Sequence, residues 1–366
     1  MAIYDCFQYF NEDHIVDLRM NILNEYVDYF VISESNKTHQ GKDKKINFNI
    51  NNFPKFKHKI IFVVAEYDQV INFQKHTGGE SPIEQHQRNS LINGLKDAQQ
   101  DDLIILSDSD EIPDLKRLSE IKKGKKFIAF SQKMFMYKLN LQNINESNWI
   151  GSKITKKKYL KTMQSLRDLK FKDYPFWRFD KKELQIIKGG WHFSFLQTPD
   201  QILEKIKSFS HGEFNSEDID KKKIEAKIFD NEDIFNRGNV LKRVNLDETF
   251  PPFILENKNK LGKKVFSDFQ NFERACSSDE LDSKSRYFLS LLEEKARSQD
   301  CKIIKSRLEK AKYLDLNSSS IKDSYALSFF DNLEFLNLEN NNIRDFNFLK
   351  SFSKLKIFPT INPLII

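Results

Sequence analysis

Asp108, Ser109, Asp110 and Glu111 put three carboxylates into four consecutive residues. Carboxylates this close repel one another unless a cation sits among them, and hard divalent ions that carry substrate phosphates favour such oxygen ligands. The spacing therefore offers a metal and diphosphate site. Two other chemistries use the same residues. One is a solvated strand-to-helix turn, with Pro113 ending the strand and Asp114 as an N-cap. The other makes Asp108 a covalent nucleophile toward a phosphoryl group.

The elements around these acids decide which end of a sheet they occupy. Leu103 to Leu106, followed by Ser107, form a short apolar run without alternation, as expected of a strand buried on both faces of a parallel sheet. Ligands of open α/β sheets bind beyond the carboxyl ends of such strands, where the acids fall. Upstream, Ile3–Phe7, Val27–Ser33 and Lys59–Ala65 read as strands. Asp13–Tyr26 and Gln85–Gln99 read as helices, the first with Ile15, Leu18, Ile22 and Leu23 on one face. This order predicts a doubly wound parallel sheet. The polar segment from Gln69 to Glu84, with Gly78, Gly79 and Pro82, is long enough to be an active-site loop.

Downstream, Phe127–Ser131, Met134–Leu139, Trp149–Ile154, Phe176–Phe179 and Ile186–Leu196 read as β segments, and Pro199–Phe209 as a helix. Gly189 and Gly190 permit close backbone approach. Trp149 or Trp177 could stack on a sugar ring, though packing is the commoner role for any one Trp. Glu34, at the end of the second strand, is a candidate donor-binding residue.

The ordered motifs YDCFQYFNE, VDYFVISESNKTHQGK, QHQRNSLINGL, DLIILSDSDEIP, GGWHFSFL and KSFSHGEFN resemble glycosyltransferase family 17 from about Ile3 to about Phe269. The resemblance implies a GT-A-like nucleotide-sugar-binding fold and an inverting transfer from a UDP-sugar, usually UDP-GlcNAc, to a hydroxyl of a glycan acceptor, as in β-1,4-N-acetylglucosaminyltransferase III. It implies Mn²⁺ or Mg²⁺ and the diphosphate at Asp108 and Asp110, and Arg88 against the donor. A late His on the metal or diphosphate would be His192 or His211. Glu213 and Asp218 are candidates for the base, with Glu213 first. A strand followed by Asp-x-Asp also resembles haloacid-dehalogenase-type phosphatases, with Asp108 as nucleophile. Ile112 stands where that type has Thr or Val.

After the transferase-like region (1–275), a helical segment (276–312) carries Leu281, Phe288, Leu291 and Leu292 on one face within Ser278–Lys310. In the last segment (313–366) Leu314, Leu316, Ile321, Asp323, Leu327, Phe330 and Leu333 recur 22 positions later as Leu336, Leu338, Ile343, Asp345, Leu349, Phe352 and Leu355. Leu333-x-x-Leu336-x-Leu338-x-x-Asn341-x-Ile343 resembles a leucine-rich repeat. So short an array must lean on the preceding helix or on a protein partner, and a non-catalytic repeat-based binding protein is a further reading.

A net charge of +6 spread through 366 residues does not suggest nucleic acid. No stretch reaches the length of a membrane span, and the chain enters its first strand without a leader. Cys6, Cys276 and Cys301 are an odd number without metal-ligand spacing, from which no disulfide, a reducing compartment and a cytoplasmic location are expected.

Overall fold

The computed structural model describes the chain except for residues 69–80, 147, 173, 176, 209–218, 230, 262–263, 265–275, 277–282, 322–331, 344–348, 350–351, 353 and 357–366. It divides into two compact units, Met1–Asn257 and Lys258–Ile366, where the sequence had suggested a boundary at 275.

The first unit opens with β1 (Ile3–Gln8), α1 (Asp13–Leu23), β2 (Tyr29–Ser35), β3 (Ile60–Ala65), α2 (Pro82–Ser90) and β4 (Leu103–Ser107). It continues through β5 (Glu111–Ile112), β6 (Phe127–Met136), β7 (Leu141–Asn143), β8 (Trp149–Lys156), α3 (Met163–Asp168), β9 (Leu184–Ser194), α4 (Pro199–Ser208) and β10 (Leu241–Arg243). β1 pairs in parallel with both β2 and β4, and β3 lies beyond β2. The order β3-β2-β1-β4 reverses direction between β1 and β4, a topological switch point where such sheets bind ligands.

Beyond β4 the expected all-parallel sheet is corrected. β8 runs antiparallel to β4, β6 to β8, β7 to β6 and β10 to β7, while β9 is parallel to β6. The reason is connection length: after β6 the chain returns through short turns, which join antiparallel strands, whereas parallel neighbours need long crossovers. The two strands read at 127–131 and 134–139 are one strand, β6. Opposite Gln132, Gly189 and Gly190 form a bulge in β9, since Ser131 pairs with Lys188 and Lys133 with Trp191. Gly190 has φ +106°, and a Cβ there would lie 2.5 Å from the Ile112 carbonyl. This close approach lets β9 pair with β5 beside the acids.

Alternation along the strands gives each face its own helix. Tyr4 and Cys6 of β1 and Ile104 and Leu106 of β4 pack with Leu91 and Leu95, in the turn after α2, and with Met163 and Leu166 of α3. The intervening residue, Asp5, meets Arg19 of α1. Of the expected face of that helix, Ile15, Leu18 and Leu23 are buried and Ile22 is half-buried, with Val16, Arg19 and Met20 also buried.

In the second unit the expected long helix is two, Ser283–Ala296 and Cys301–Lys310. Arg297 at φ 48° interrupts them, and the Asp300 carboxylate accepts from the amides of Lys302 (2.8 Å) and Ile303 (3.1 Å), capping the second. Cys276 and Cys301 form a disulfide with Cα atoms 5.7 Å apart, which corrects the expectation of none. Their separation in sequence matched no framework, and only the fold brings them together. Disulfides persist in oxidising surroundings, so the ground for a reducing compartment is removed.

β11 (Tyr313–Asp315) pairs in parallel with β12 (Phe335–Asn337), Leu314 beside Leu336, the same 22-residue step seen in the sequence. Asn341 donates to the carbonyls of Leu316 (2.7 Å) and Leu338 (3.0 Å) and accepts from the Ile321 amide (2.8 Å). Phe288, Leu292, Ile304 and Leu308 of the helices share one core with Leu314, Leu316 and Ile343. No helix among the described residues is long and apolar enough to cross a membrane.

Candidate active site

β4 is apolar and wholly buried, so the first position where the chain can carry charge is Asp108, directly beyond it. A tight turn follows. The Glu111 amide donates to the Asp108 carbonyl (3.1 Å), and the Asp108 amide donates to the Glu111 carboxylate (3.1 Å). Glu111 is fully buried and also accepts from the Trp149 indole (2.7 Å) and from Arg167 (3.3 Å). The third acid of the motif therefore shapes the turn, leaving Asp108 and Asp110 to face the crevice.

Arg19 braces this turn from beneath. Its guanidinium makes two bonds to Asp5 (2.6 and 2.7 Å), and Nη1 reaches the carbonyls of Glu111 (2.6 Å), Asp108 (3.3 Å) and Ser109 (3.4 Å). Both partners are fully buried. An ion pair in such a place costs desolvation and is sustained by its further hydrogen bonds, here those that fix the path of the acidic turn.

Asp108 accepts from Arg167 Nη2 at 2.7 Å, with Arg88 Nη2 3.9 Å away. Burial pushes its carboxyl upward, but Arg167 and then Arg88 more than offset this and hold it below the ordinary value. Asp110 lies 3.5 Å from His192 Nε2. Burial is again opposed, here by His192, and the Asp110 carboxyl is held well below the usual carboxylate range. Burial lowers His192, yet Asp110 outweighs it and the imidazole titrates above its ordinary value. The Trp149 ring covers His192, centroids 4.9 Å apart.

Further charge comes from elements distant in sequence. Glu12, after β1, accepts from Ser109 (3.2 Å) and from Lys205 of α4 (3.2 Å). Burial raises Glu12, with Lys205 opposing. Lys205 is lowered by burial, but Glu12 and Asp110 bring it above its ordinary value. Lys153 donates to the carbonyls of Arg167 and Leu169 and so holds the end of α3; burial, with Arg167 beside it, brings its ammonium down to about 8.

The structure thus brings together Asp108, Asp110, His192 and Arg88. Arg88 is buried, and its guanidinium is set by Glu84 (2.9 Å) and Gln164 (2.6 Å). Glu34 is placed otherwise. Its buried carboxylate accepts from the amides of Asn47 and Phe48 and pairs with Lys44, so it closes the loop after β2. His211, Glu213 and Asp218 lie outside the described residues, as does most of the 69–84 loop. Sequence reading missed Arg19, Arg167, Glu12 and Lys205, which stand in ordinary helical or loop contexts. Only the invariable cost of burying a charge unpaired could have marked them, and burial is a tertiary property.

Asp110 and His192 offer one oxygen and one nitrogen 3.5 Å apart, a separation two ligands of one cation can have when each bonds at about 2.0–2.2 Å. Among the described residues no group of three or more His, Cys, Asp or Glu is arranged to hold a metal unaided. The donor set fits a divalent ion whose coordination is completed by ligand oxygens, as is usual where a cation is carried with phosphates.

Two solved structures show low similarity to the chain. A putative glucose-1-phosphate thymidylyltransferase from Bacillus anthracis, in complex with a sucrose, shares 10% identity at a TM-score of 0.27, over 52% of this chain and 88% of that one. The glycosyltransferase GlyE of Streptococcus pneumoniae TIGR4 shares 13% at 0.24, over 56% of this chain and 50% of its own. Neither superposition is close enough to bear on the chemistry. No curated protein matches the chain. The glycosyltransferase family 17 model, by contrast, matches residues 1–238, from β1 through α4 and with them every described side chain of the acidic crevice, and by that match the chain belongs to glycosyltransferase family 17.

Proposed function

We propose that this glycosyltransferase is an inverting enzyme that moves GlcNAc from UDP-GlcNAc to a hydroxyl of a glycan, with the donor diphosphate in the crevice beyond β4. The observation that carries the reading is the meeting of Asp108, Asp110 and His192 with Arg88 and Arg167 at the switch point of the sheet. A diphosphate leaving group needs fixed positive charge as its bond to the sugar breaks, and preorganised cations in a buried site supply it without reorganisation. Arg167 and Arg88 are such cations, and their planar guanidinium groups suit phosphate oxygens.

Mn²⁺ or Mg²⁺, held by Asp110 and His192 with diphosphate oxygens, would add Lewis-acid stabilisation of the departing UDP. Asp108 keeps the two arginines aimed at the crevice and can accept a ribose hydroxyl. The acceptor oxygen bonds to the anomeric carbon from the side opposite the departing UDP, whose bond to the sugar breaks, which gives inversion; a carboxylate takes the hydroxyl proton, and Glu213 is the residue we assign to it. In the second unit, the 22-residue register and the Asn341 bonds support a leucine-rich repeat that caps its helices or meets a protein partner.

Donor hydrolysis tests the reading without knowledge of the acceptor. Screened over UDP-GlcNAc, UDP-Glc, UDP-Gal and GDP-Man, the chain should hydrolyse UDP-GlcNAc fastest and lose that activity to a chelator. No hydrolysis of any donor, together with no thermal shift on adding UDP and Mn²⁺, would defeat it. Chelator-insensitive phosphatase activity lost with Asp108 would replace it.

A further inference from the structure

Lys153 stands within β8 in register with Leu106 of β4, so its side chain shares the face on which Ile104 and Leu106 pack against Met163 and Leu166 of α3. It is 5% exposed, and lysine is almost never buried this far unless it is paired. Its ammonium donates to the carbonyls of Arg167 and Leu169, the latter at 3.0 Å, and lies 5.7 Å from the centre of the Phe171 ring. Both carbonyls belong to the end of α3, where the last groups of a helix lack intrahelical partners and its dipole favours a cation.

α3 is six residues long, too short to hold itself together. Its place comes from its contacts: the Thr162 capping box and the Asn89 side chain at its start, Met163 and Leu166 in the core beneath it, and Lys153 at its end. From that end the Arg167 side chain crosses to Asp108 (2.7 Å) and Glu111 (3.3 Å). Arg167 thus carries both halves of a link, its carbonyl held by Lys153 and its guanidinium against the acids beyond β4.

We propose that Lys153 is a positioning residue of the donor site, whose ammonium fixes the backbone of Arg167 and thereby aims its guanidinium at Asp108 and the departing diphosphate. The diphosphate rests on the transferase reading above, whereas the hold of Lys153 on Arg167 does not.

The link carries a pH dependence. The charged groups that face the ammonium are Arg167, Asp168 and Lys170, on and after α3, and Glu111 of β5; burial and then Arg167 outweigh the two carboxylates and bring Lys153 down to about 8. Above that value the neutral amine holds the carbonyls less firmly, since charge-assisted hydrogen bonds are about twice as strong as neutral ones. A cation that releases its proton more readily folded than unfolded adds stability as pH rises between the two values, so the loss expected from this group is of activity and not of fold. Lys205, also buried beside the acids, titrates above its ordinary value and so outside this window.

The test uses the full chain, with UDP-GlcNAc hydrolysis followed from about pH 7 to about pH 9.5. In parallel, NMR follows the Arg167 guanidinium Nε–H resonance, identified by its loss in Arg167→Lys. Lys153→Met should lower kcat at least tenfold with KM within threefold of wild type, and should cost less than twofold further in an Arg167→Lys background, because both changes break one link. Wild-type kcat should fall at least threefold as pH rises through about 8, a fall that the permanently charged Lys153→Arg should lack. The Arg167 resonance should titrate with the same midpoint in the wild type and stand displaced at every pH in Lys153→Met. Wild-type turnover in Lys153→Met, additive losses in the double variant, an alkaline fall kept by Lys153→Arg, or an Arg167 resonance unmoved by Lys153→Met would each overturn the proposal. If Lys153→Met does not fold, the Lys153→Arg profile and the wild-type resonance decide. If the wild type hydrolyses no donor, the transferase chemistry is retired and the resonance alone decides whether Lys153 holds Arg167.

Discussion

Arg167 Nη2 donates to Asp108 Oδ2 at 2.7 Å, joining a short helix late in the unit to the acid at the end of its central strand. The same guanidinium meets Glu111, so one side chain orients both ends of the acidic turn. Lysine keeps the charge but cannot span both carboxylates. Arg167→Lys is expected to lower donor hydrolysis by at least tenfold while leaving the thermal transition nearly in place. Turnover equal to wild type would place Arg167 outside the reaction.

Asp110→Asn preserves size and one acceptor oxygen but removes the charge that faces His192. Metal-supported UDP binding should fall, and hydrolysis should drop by about 10²–10³-fold, the usual loss on removing one preorganised electrostatic partner. Asp108→Asn should be milder, because Asp108 meets arginines. A fully active Asp110→Asn, or an Asp108→Asn loss much the larger of the two, contradicts the assignment and favours Asp108 as a nucleophile.

Breaking the buried Arg19–Asp5 pair by Asp5→Leu leaves a guanidinium uncompensated and should cost about 3–5 kcal/mol in urea unfolding. Arg19→Met/Asp5→Leu should recover much of that stability, since apolar replacement of a buried pair is often neutral or better. It should not recover turnover, because the turn carbonyls of Asp108, Ser109 and Glu111 lose their donor. Recovery of both would show that Arg19 serves only the core.

Asp233 gives a pH prediction away from the crevice. Burial raises its carboxyl, but bonds from Arg237 and the Phe235 amide outweigh this and hold it below the ordinary value. A carboxyl depressed in the folded state adds stability that is complete above its unfolded value of about 3.9 and is lost as pH falls through the folded value. Asp233→Asn should therefore cost about 1–3 kcal/mol near neutral pH, with the gap to wild type narrowing below about pH 4. A gap that stays constant on acidification would assign the cost to packing.

The sequence alone determined those features that are local. The unbroken apolar run of β4 needs burial on both faces, and that requirement put Asp108 and Asp110 at the end of a strand and in the crevice. The Gly189–Gly190 pair marked a backbone approach, and the 22-residue recurrence of leucines marked the spacing at which Leu314 and Leu336 pair. Tertiary structure decided everything that depends on residues remote in the chain. The sheet turns antiparallel after β4 because short returns at β6 to β8 outweigh the periodicity, which is the same for either pairing direction. Arg19 and Arg167 look like ordinary helix residues until one is buried beneath the turn and the other laid across it. Glu34, read like Asp108 as a donor-binding acid at the end of a strand, is held instead by two backbone amides and a lysine, which bend its carboxylate into the following loop. A charged side chain acquires its role from what desolvates it and what neutralises it, and both lie outside its own segment of chain.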